Sequence, residues 1–193
     1  METNKISFKE LEYKYNAEGV DLVDFKKLIE ELGPNKVIEV SSWDVYYKRK
    51  DSDDRFVRYR KSTEVPELTK KVKTKDSNNW ERLEVDLPLD PTRINEEIVT
   101  EFVAIDNYEE NFRIYKSCFI YFLDDVNFVW YSVYDKNMNE KGRFIEVEVN
   151  KDRVNELGST VSDVLKEYEQ KLSVLGINPK NRLKKSLFEI FVK

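Results

Sequence analysis

The chain has 193 residues, 40% of them hydrophobic, 37% charged and 13% aromatic, with a net charge of −5. This is enough packing material for one folded domain spanning 1–193 and too much for a disordered chain, and the acidic balance gives no general attraction for nucleic acid or anionic membranes. Histidine is absent and Cys118 is the one cysteine, which excludes Ser-His and Cys-His catalysis, any disulfide within the chain and the usual zinc ligands.

Taken in order, the chain first offers Glu10-Leu11-Glu12-Tyr13-Lys14. In a strand, Glu10, Glu12 and Lys14 share one face while Leu11, Tyr13 and Tyr15 share the other. Asp21 is predicted to cap a helix whose apolar positions Leu22, Phe25, Leu28, Ile29 and Leu32 recur at helical spacing until Gly33-Pro34. Strands follow over Val37 to Val40 and Trp43 to Tyr47. After an acidic turn, Arg55 to Arg60 places Arg58 and Arg60 on one face. In Glu67 to Lys73, Lys71 and Lys73 share a face; a polar hairpin loop at 76–79 leads to Trp80 to Leu87, where Arg82, Glu84 and Asp86 oppose Leu83, Val85 and Leu87.

Asp90-Pro91 has the form of an N-cap and first-turn proline, predicting a second helix with Ile94, Ile98, Phe102 and Ile105 as its stripe. The aromatic and β-branched run from Phe112 to Tyr134, broken at Asp124-Asp125, predicts two long strands, with Arg113 at the start of the first. Cys118, among Phe119, Ile120 and Tyr121, fits a buried structural thiol. A loop from Asp135 to Gly142 reaches Phe144-Ile145-Glu146-Val147-Glu148, where two carboxylates again stand two residues apart. Val161, Leu165, Tyr168, Leu172 and Leu175 predict a third helix, and Asn178-Pro179 a cap for a final one carrying Leu183, Leu187, Ile190 and Phe191. Strands with helices at three places give an α+β class. No run of about 18 apolar residues and no secretion signal are visible, so a cytoplasmic location without membrane partners is expected.

A single amphipathic strand with its charges in water needs no explanation. Five that obey the same rule are different: joined in one sheet they line a whole face with charge. Three amphipathic helices need apolar surface to cover, and the apolar strand faces supply it, so the sheet is expected to close with its charged side inward and the helices outside. Cations ~6 Å apart repel by roughly 3 kcal/mol at an effective dielectric near 20. Such a cavity therefore calls for anions. Paired carboxylates without histidine suit Mg²⁺ or Mn²⁺, while arginine and lysine suit phosphate oxygens.

These motifs resemble the CYTH superfamily, the triphosphate tunnel metalloenzymes. The matching residues are Glu10-Leu11-Glu12-Tyr13-Lys14, Asp44-Val45-Tyr46-Tyr47, Arg58-Tyr59-Arg60, Leu68-Thr69-Lys70-Lys71, Arg82-Leu83-Glu84-Val85-Asp86 and Gly142 to Glu148. The final segment reads Lys185-Ser186-Leu187 where the family has Lys-Ser-Tyr. The resemblance implies an eight-stranded antiparallel β-barrel with a charged tunnel and helices on its outside. It implies metal ligands at Glu10, Glu12, Glu146 and Glu148, with Asp135, Glu84 and Asp86 as further carboxylates. Phosphates would be held by Lys14, Arg58, Arg60, Lys71, Lys73, Arg82 and Arg113. The expected activity is metal-dependent hydrolysis of a triphosphate such as tripolyphosphate, thiamine triphosphate or a nucleoside triphosphate, with Glu12, Glu148 and a deprotonated Lys14 in catalytic roles. The alternatives are an adenylyl cyclase, an RNA 5′-triphosphatase and a catalytically silent polyphosphate or nucleotide binder. Nucleic acid is expected only as a 5′-triphosphate end, and the protein as a monomer or homodimer.

Overall fold

The computed structural model describes residues 7–52, 56–62, 65–73 and 81–192. Eight strands are formed: β1 (Ser7–Asn16), β2 (Lys36–Arg49), β3 (Phe56–Ser62), β4 (Glu67–Lys73), β5 (Glu81–Pro88), β6 (Tyr108–Phe122), β7 (Val126–Tyr134) and β8 (Glu140–Val149). Five helices accompany them among the described residues: α1 (Leu22–Glu31), α2 (Glu96–Ile105), α3 (Lys151–Glu156), α4 (Val161–Leu172) and α5 (Leu187–Phe191). None is long and apolar enough to cross a membrane.

The strands are antiparallel neighbours in the order β1-β5-β4-β3-β2-β6-β7-β8, and β1 hydrogen-bonds to both β5 and β8, so the pairing runs round a closed ring. The eight-stranded antiparallel β-barrel with a charged tunnel and helices on its outside, expected from the sequence, needs correction in three respects. The first is a seam. Ser7 to Leu11 pair with β5, and Glu12 to Asn16 pair with β8, so no residue of β1 is paired to both neighbours. Where β5 has left it, the Lys14 carbonyl accepts from the Leu183 N–H at 2.8 Å, and Arg182 bridges Tyr15. The C-terminal segment thus patches the seam.

The second correction concerns the interior, which is ionic over only part of its surface. Tyr46, Phe112, Ile114, Cys118, Val129, Tyr131, Val133 and Phe144 form one apolar cluster inside the ring. The third is that α5 belongs to that cluster: Leu187 and Phe188 pack into one end of the ring, Phe188 stacking on Phe56 with centroids 4.3 Å apart. Ser186 starts this short helix by a reciprocal cap with Glu189.

The outer surface is the greasy one. Tyr13, Tyr15, Phe128, Trp130, Ile145 and Val147 face outward and are covered by Phe25 and Ile29 of α1 and by Val164, Leu165, Tyr168 and Leu172 of α4. The outward residues Val45, Tyr47, Val57 and Tyr59 are covered by Val99 and Val103 of α2. Period-two alternation explains both halves: each strand residue that packs under a helix has inward-facing neighbours. The helix starts were legible in part. Asp21 caps α1, accepting from the Val23 N–H. Asp90, by contrast, closes a turn with Thr92, and α2 begins at Asn95, whose side chain accepts from the Ile98 N–H. Asn178 caps a 3₁₀ turn at Pro179–Asn181 rather than the final helix.

Candidate functional site

Parity brings the charged groups together. Tyr13 and Tyr15 of β1 are fixed in the outer core, which turns Glu12 and Lys14 inward; on β8, Ile145 and Val147 do the same for Glu146 and Glu148. The register sets Glu12 opposite Glu148 and Lys14 opposite Glu146. Glu12, Glu146 and Glu148 each offer a carboxylate oxygen within 4.8 Å of the others. Like charges this close oppose folding unless a cation intervenes. Lys14 supplies part of that charge, its Nζ lying 2.9 Å from Glu146 and 3.4 Å from Glu12.

The carboxylates line a cavity of about 450 Å³ whose other walls carry Arg58, Arg60, Glu67, Glu84, Asp86 and Lys116. Arg60 holds Asp44 through two bonds of 2.8 and 2.9 Å, and Asp44 has no exposed surface. Arg58 donates to Thr69 at 2.8 Å and lies 3.0 Å from Glu67 and 3.5 Å from Glu84; its Nε is buried with no hydrogen-bond partner. Asp86 accepts from the Thr69 hydroxyl at 2.6 Å. Lys116 is only 7% exposed and makes no ion pair among the described residues; its ammonium stands 4.1 Å from the centre of the Tyr131 ring. A buried cation against an aromatic face, near the Glu146 and Asp44 carboxylates but in ion-pair contact with neither, retains charge that an anion can neutralise.

Burial pushes the Glu146 carboxyl up, but the Lys14 and Lys116 ammoniums and a hydrogen bond from Tyr131 outweigh it and hold the group below the usual carboxylate range. The Cys118 thiol, also in the wall, is pushed up by burial, as befits an inert thiol.

Of the residues predicted from the sequence, Glu12, Lys14, Arg58, Arg60, Glu84, Asp86, Glu146 and Glu148 line this one cavity. The side chains of Glu10, Lys71, Lys73 and Arg82 lie outside the described residues; their backbones set Glu10 opposite Arg82, Lys71 opposite Glu84 and Lys73 opposite Arg82. Two predicted residues are placed elsewhere. Asp135 ties the β7–β8 turn, accepting from the Asn137 and Asn139 N–H groups and pairing with Lys141 at 3.0 Å. Arg113 is clasped by Glu110 at 2.8 and 2.6 Å and by Glu96 of α2 at 3.0 Å, opposite the outward-facing Val45. Sequence reasoning gave no role to Asp44, Glu67, Lys116 or Tyr131. The signal for Lys116 was parity: it lies two residues from Cys118, already read as buried, whereas Arg113 has the opposite parity.

No family model and no curated protein sequence matches the chain. Solved structures do. A conserved hypothetical protein from Pyrococcus furiosus is 22% identical with a TM-score of 0.71, over 94% of this chain and 99% of that one. A candidate adenylate cyclase from Bacillus halodurans is 14% identical with a TM-score of 0.64, over 97% and 100%. An adenylyl cyclase candidate from Hippeastrum with a dominant triphosphatase activity is 15% identical with a TM-score of 0.60, over 94% of each chain. At these identities the likeness is one of fold.

Proposed function

We propose that the chain is a divalent-metal-dependent hydrolase of a triphosphate-containing substrate. The observation that carries this reading is the convergence of Glu12, Glu146 and Glu148 on one cavity with Arg58, Arg60 and Lys116. The donor set fits the metal: three carboxylates and no histidine are hard oxygen ligands, which suit Mg²⁺ or Mn²⁺ over zinc. The bound cation would neutralise triphosphate charge and favour a water-derived nucleophile.

The chain's own residues divide the remaining work. Glu12, Glu146 and Glu148 hold the cation, and Glu148, the more exposed end of the triad, orients the attacking water. Arg58, Arg60 and Lys116 bind phosphate oxygens and stabilise the charge that develops on the transferring group. Lys14 lies within 3.4 Å of Glu12 and 2.9 Å of Glu146, which positions its side chain beside the metal-holding carboxylates. Lys71, Lys73 and Arg82 join the phosphate set, and Glu10, Glu84 and Asp86 the acidic one. Hydrolysis is favoured over cyclisation by the dominant triphosphatase activity of the Hippeastrum protein.

The test is phosphate release from tripolyphosphate, thiamine triphosphate, ATP and triphosphate-ended RNA under Mg²⁺ or Mn²⁺. Metal-dependent release is expected from at least one, lowered roughly 100-fold or more in folded Glu12→Gln and Glu148→Gln. Wild-type turnover in both variants, or equal release in a chelator, overturns the reading. Cyclic AMP and pyrophosphate from ATP in place of phosphate would replace it with a cyclase.

A further inference from the structure

Tyr131 of β7 does not itself line the cavity but touches two residues that do, Glu146 and Lys116. Its side chain has no exposed surface, and its ring stacks on Phe144, its register partner on β8, with centroids 5.3 Å apart. Two polar contacts leave this one rigid group. The hydroxyl donates to Glu146 Oε1 at 2.7 Å, and the ring carries the Lys116 ammonium at 4.1 Å. Lys14 approaches the same Glu146 oxygen at 2.9 Å, so both protein donors fall on Oε1. Oε2 has no hydrogen-bond partner among the described residues and is the oxygen left for a cation.

A carboxylate on a flexible glutamate stem loses rotamer freedom on binding a cation, and a hydroxyl that already fixes one oxygen removes part of that cost. The ring performs a similar service for lysine, whose four-carbon stem is otherwise the most mobile cation in a phosphate site.

We propose that Tyr131 is a positioning residue that sets two opposed parts of the site through separate atoms: its hydroxyl fixes Glu146 for the metal, and its ring fixes Lys116 for a phosphate oxygen. This rests on the function proposed above, and the two can fail separately. The experiment measures Mn²⁺ binding calorimetrically, without substrate, and tripolyphosphate binding in chelator, without metal. Tyr131→Phe keeps the ring and loses the hydroxyl. It is expected to weaken Mn²⁺ binding about 10-fold or more while leaving tripolyphosphate within about twofold. Lys116→Met is expected to do the reverse, weakening tripolyphosphate about 10-fold with Mn²⁺ unchanged. Tyr131→Leu should weaken both; if it does not fold, the first two variants decide the matter. Unchanged Mn²⁺ binding in Tyr131→Phe overturns the proposal, as does equal weakening of both ligands, which marks a merely structural role. If wild type binds neither ligand, the proposed function falls as well; if wild type binds both and releases phosphate while Tyr131→Phe binds Mn²⁺ as tightly, the positioning role alone is lost.

Discussion

Asp44 shows how single residues are balanced in this cavity. Burial pushes its carboxyl up, but the Arg60 guanidinium, by charge and by hydrogen bond, more than reverses this, with Arg58 and Lys116 adding to the effect. Its folded pKa therefore lies below the ordinary 3.8, and the stability it contributes is fully present above that value and is lost as pH falls from about 4 towards 2. Asp44→Asn leaves Arg60 enclosed without its bidentate partner and should cost about 3 kcal/mol at neutral pH, shrinking below pH 4. Urea unfolding at a series of pH values checks this, and parallel stability curves for the two proteins would contradict it. At this scale alternation made Glu12, Lys14, Glu146, Glu148, Arg58 and Arg60 legible, because each has an apolar neighbour on the opposite face. Lys116, betrayed only by its parity with Cys118, and Tyr131 lacked that pattern because their inward row reads Phe112, Ile114, Lys116 and Cys118 on β6 and Val129, Tyr131 and Val133 on β7. A cation alone in an apolar row gives no alternating pattern.

Among the elements, α2 separates pattern from packing. Its sequence holds two overlapping apolar stripes, Ile94-Ile98-Phe102-Ile105 and Val99-Val103, and periodicity does not rank them. The outward faces of β2 and β3 choose the second: Val99 and Val103 are buried, whereas Ile98, Phe102 and Ile105 are 46%, 61% and 81% exposed. Pairing of Arg113 with Glu96 pins the first turn in that rotation. Val103→Ala should therefore cost about 2 kcal/mol in thermal or urea unfolding, and Ile105→Ser less than about 0.5 kcal/mol. The opposite ranking would restore the stripe predicted from the sequence. The final helix was misjudged for a related reason. Asn178-Pro179 is a sound starting signal, but it is spent on a 3₁₀ turn, and the Ser186-Glu189 box opens the helix that enters the ring.

For the whole molecule, the repeated ionic strands implied a sheet with charge on its inner face, and the family resemblance supplied the eight antiparallel strands. What they could not convey is how far that charge extends or how the ring is joined. The Tyr46, Phe112 and Phe144 end takes its neighbours from α5, more than forty residues further along the chain than any of them, and local periodicity carries no such information. The join at β1 depends on Leu183, and its side chains are steadied by Arg182, which pairs with Glu169 and lies 3.9 Å from the centre of the Tyr13 ring. Leu183→Pro deletes the N–H that Lys14 accepts and should cost about 1–2 kcal/mol, with faster amide exchange over residues 12–16. Leu183→Ala keeps the N–H and should leave that exchange unchanged. Equal protection in the proline variant would show that the patch does not support the strand.

The join also sets a timetable for synthesis. Glu12 and Lys14 are made about 170 residues before the backbone that braces them, and every other carboxylate lining the cavity is made in between. A nascent chain arrested before Leu183 would hold Glu12 on a half-supported β1 opposite a β8 already paired with β7. Affinity for a divalent ion should therefore emerge abruptly once Leu183 has joined the fold, and not when Glu148 is made.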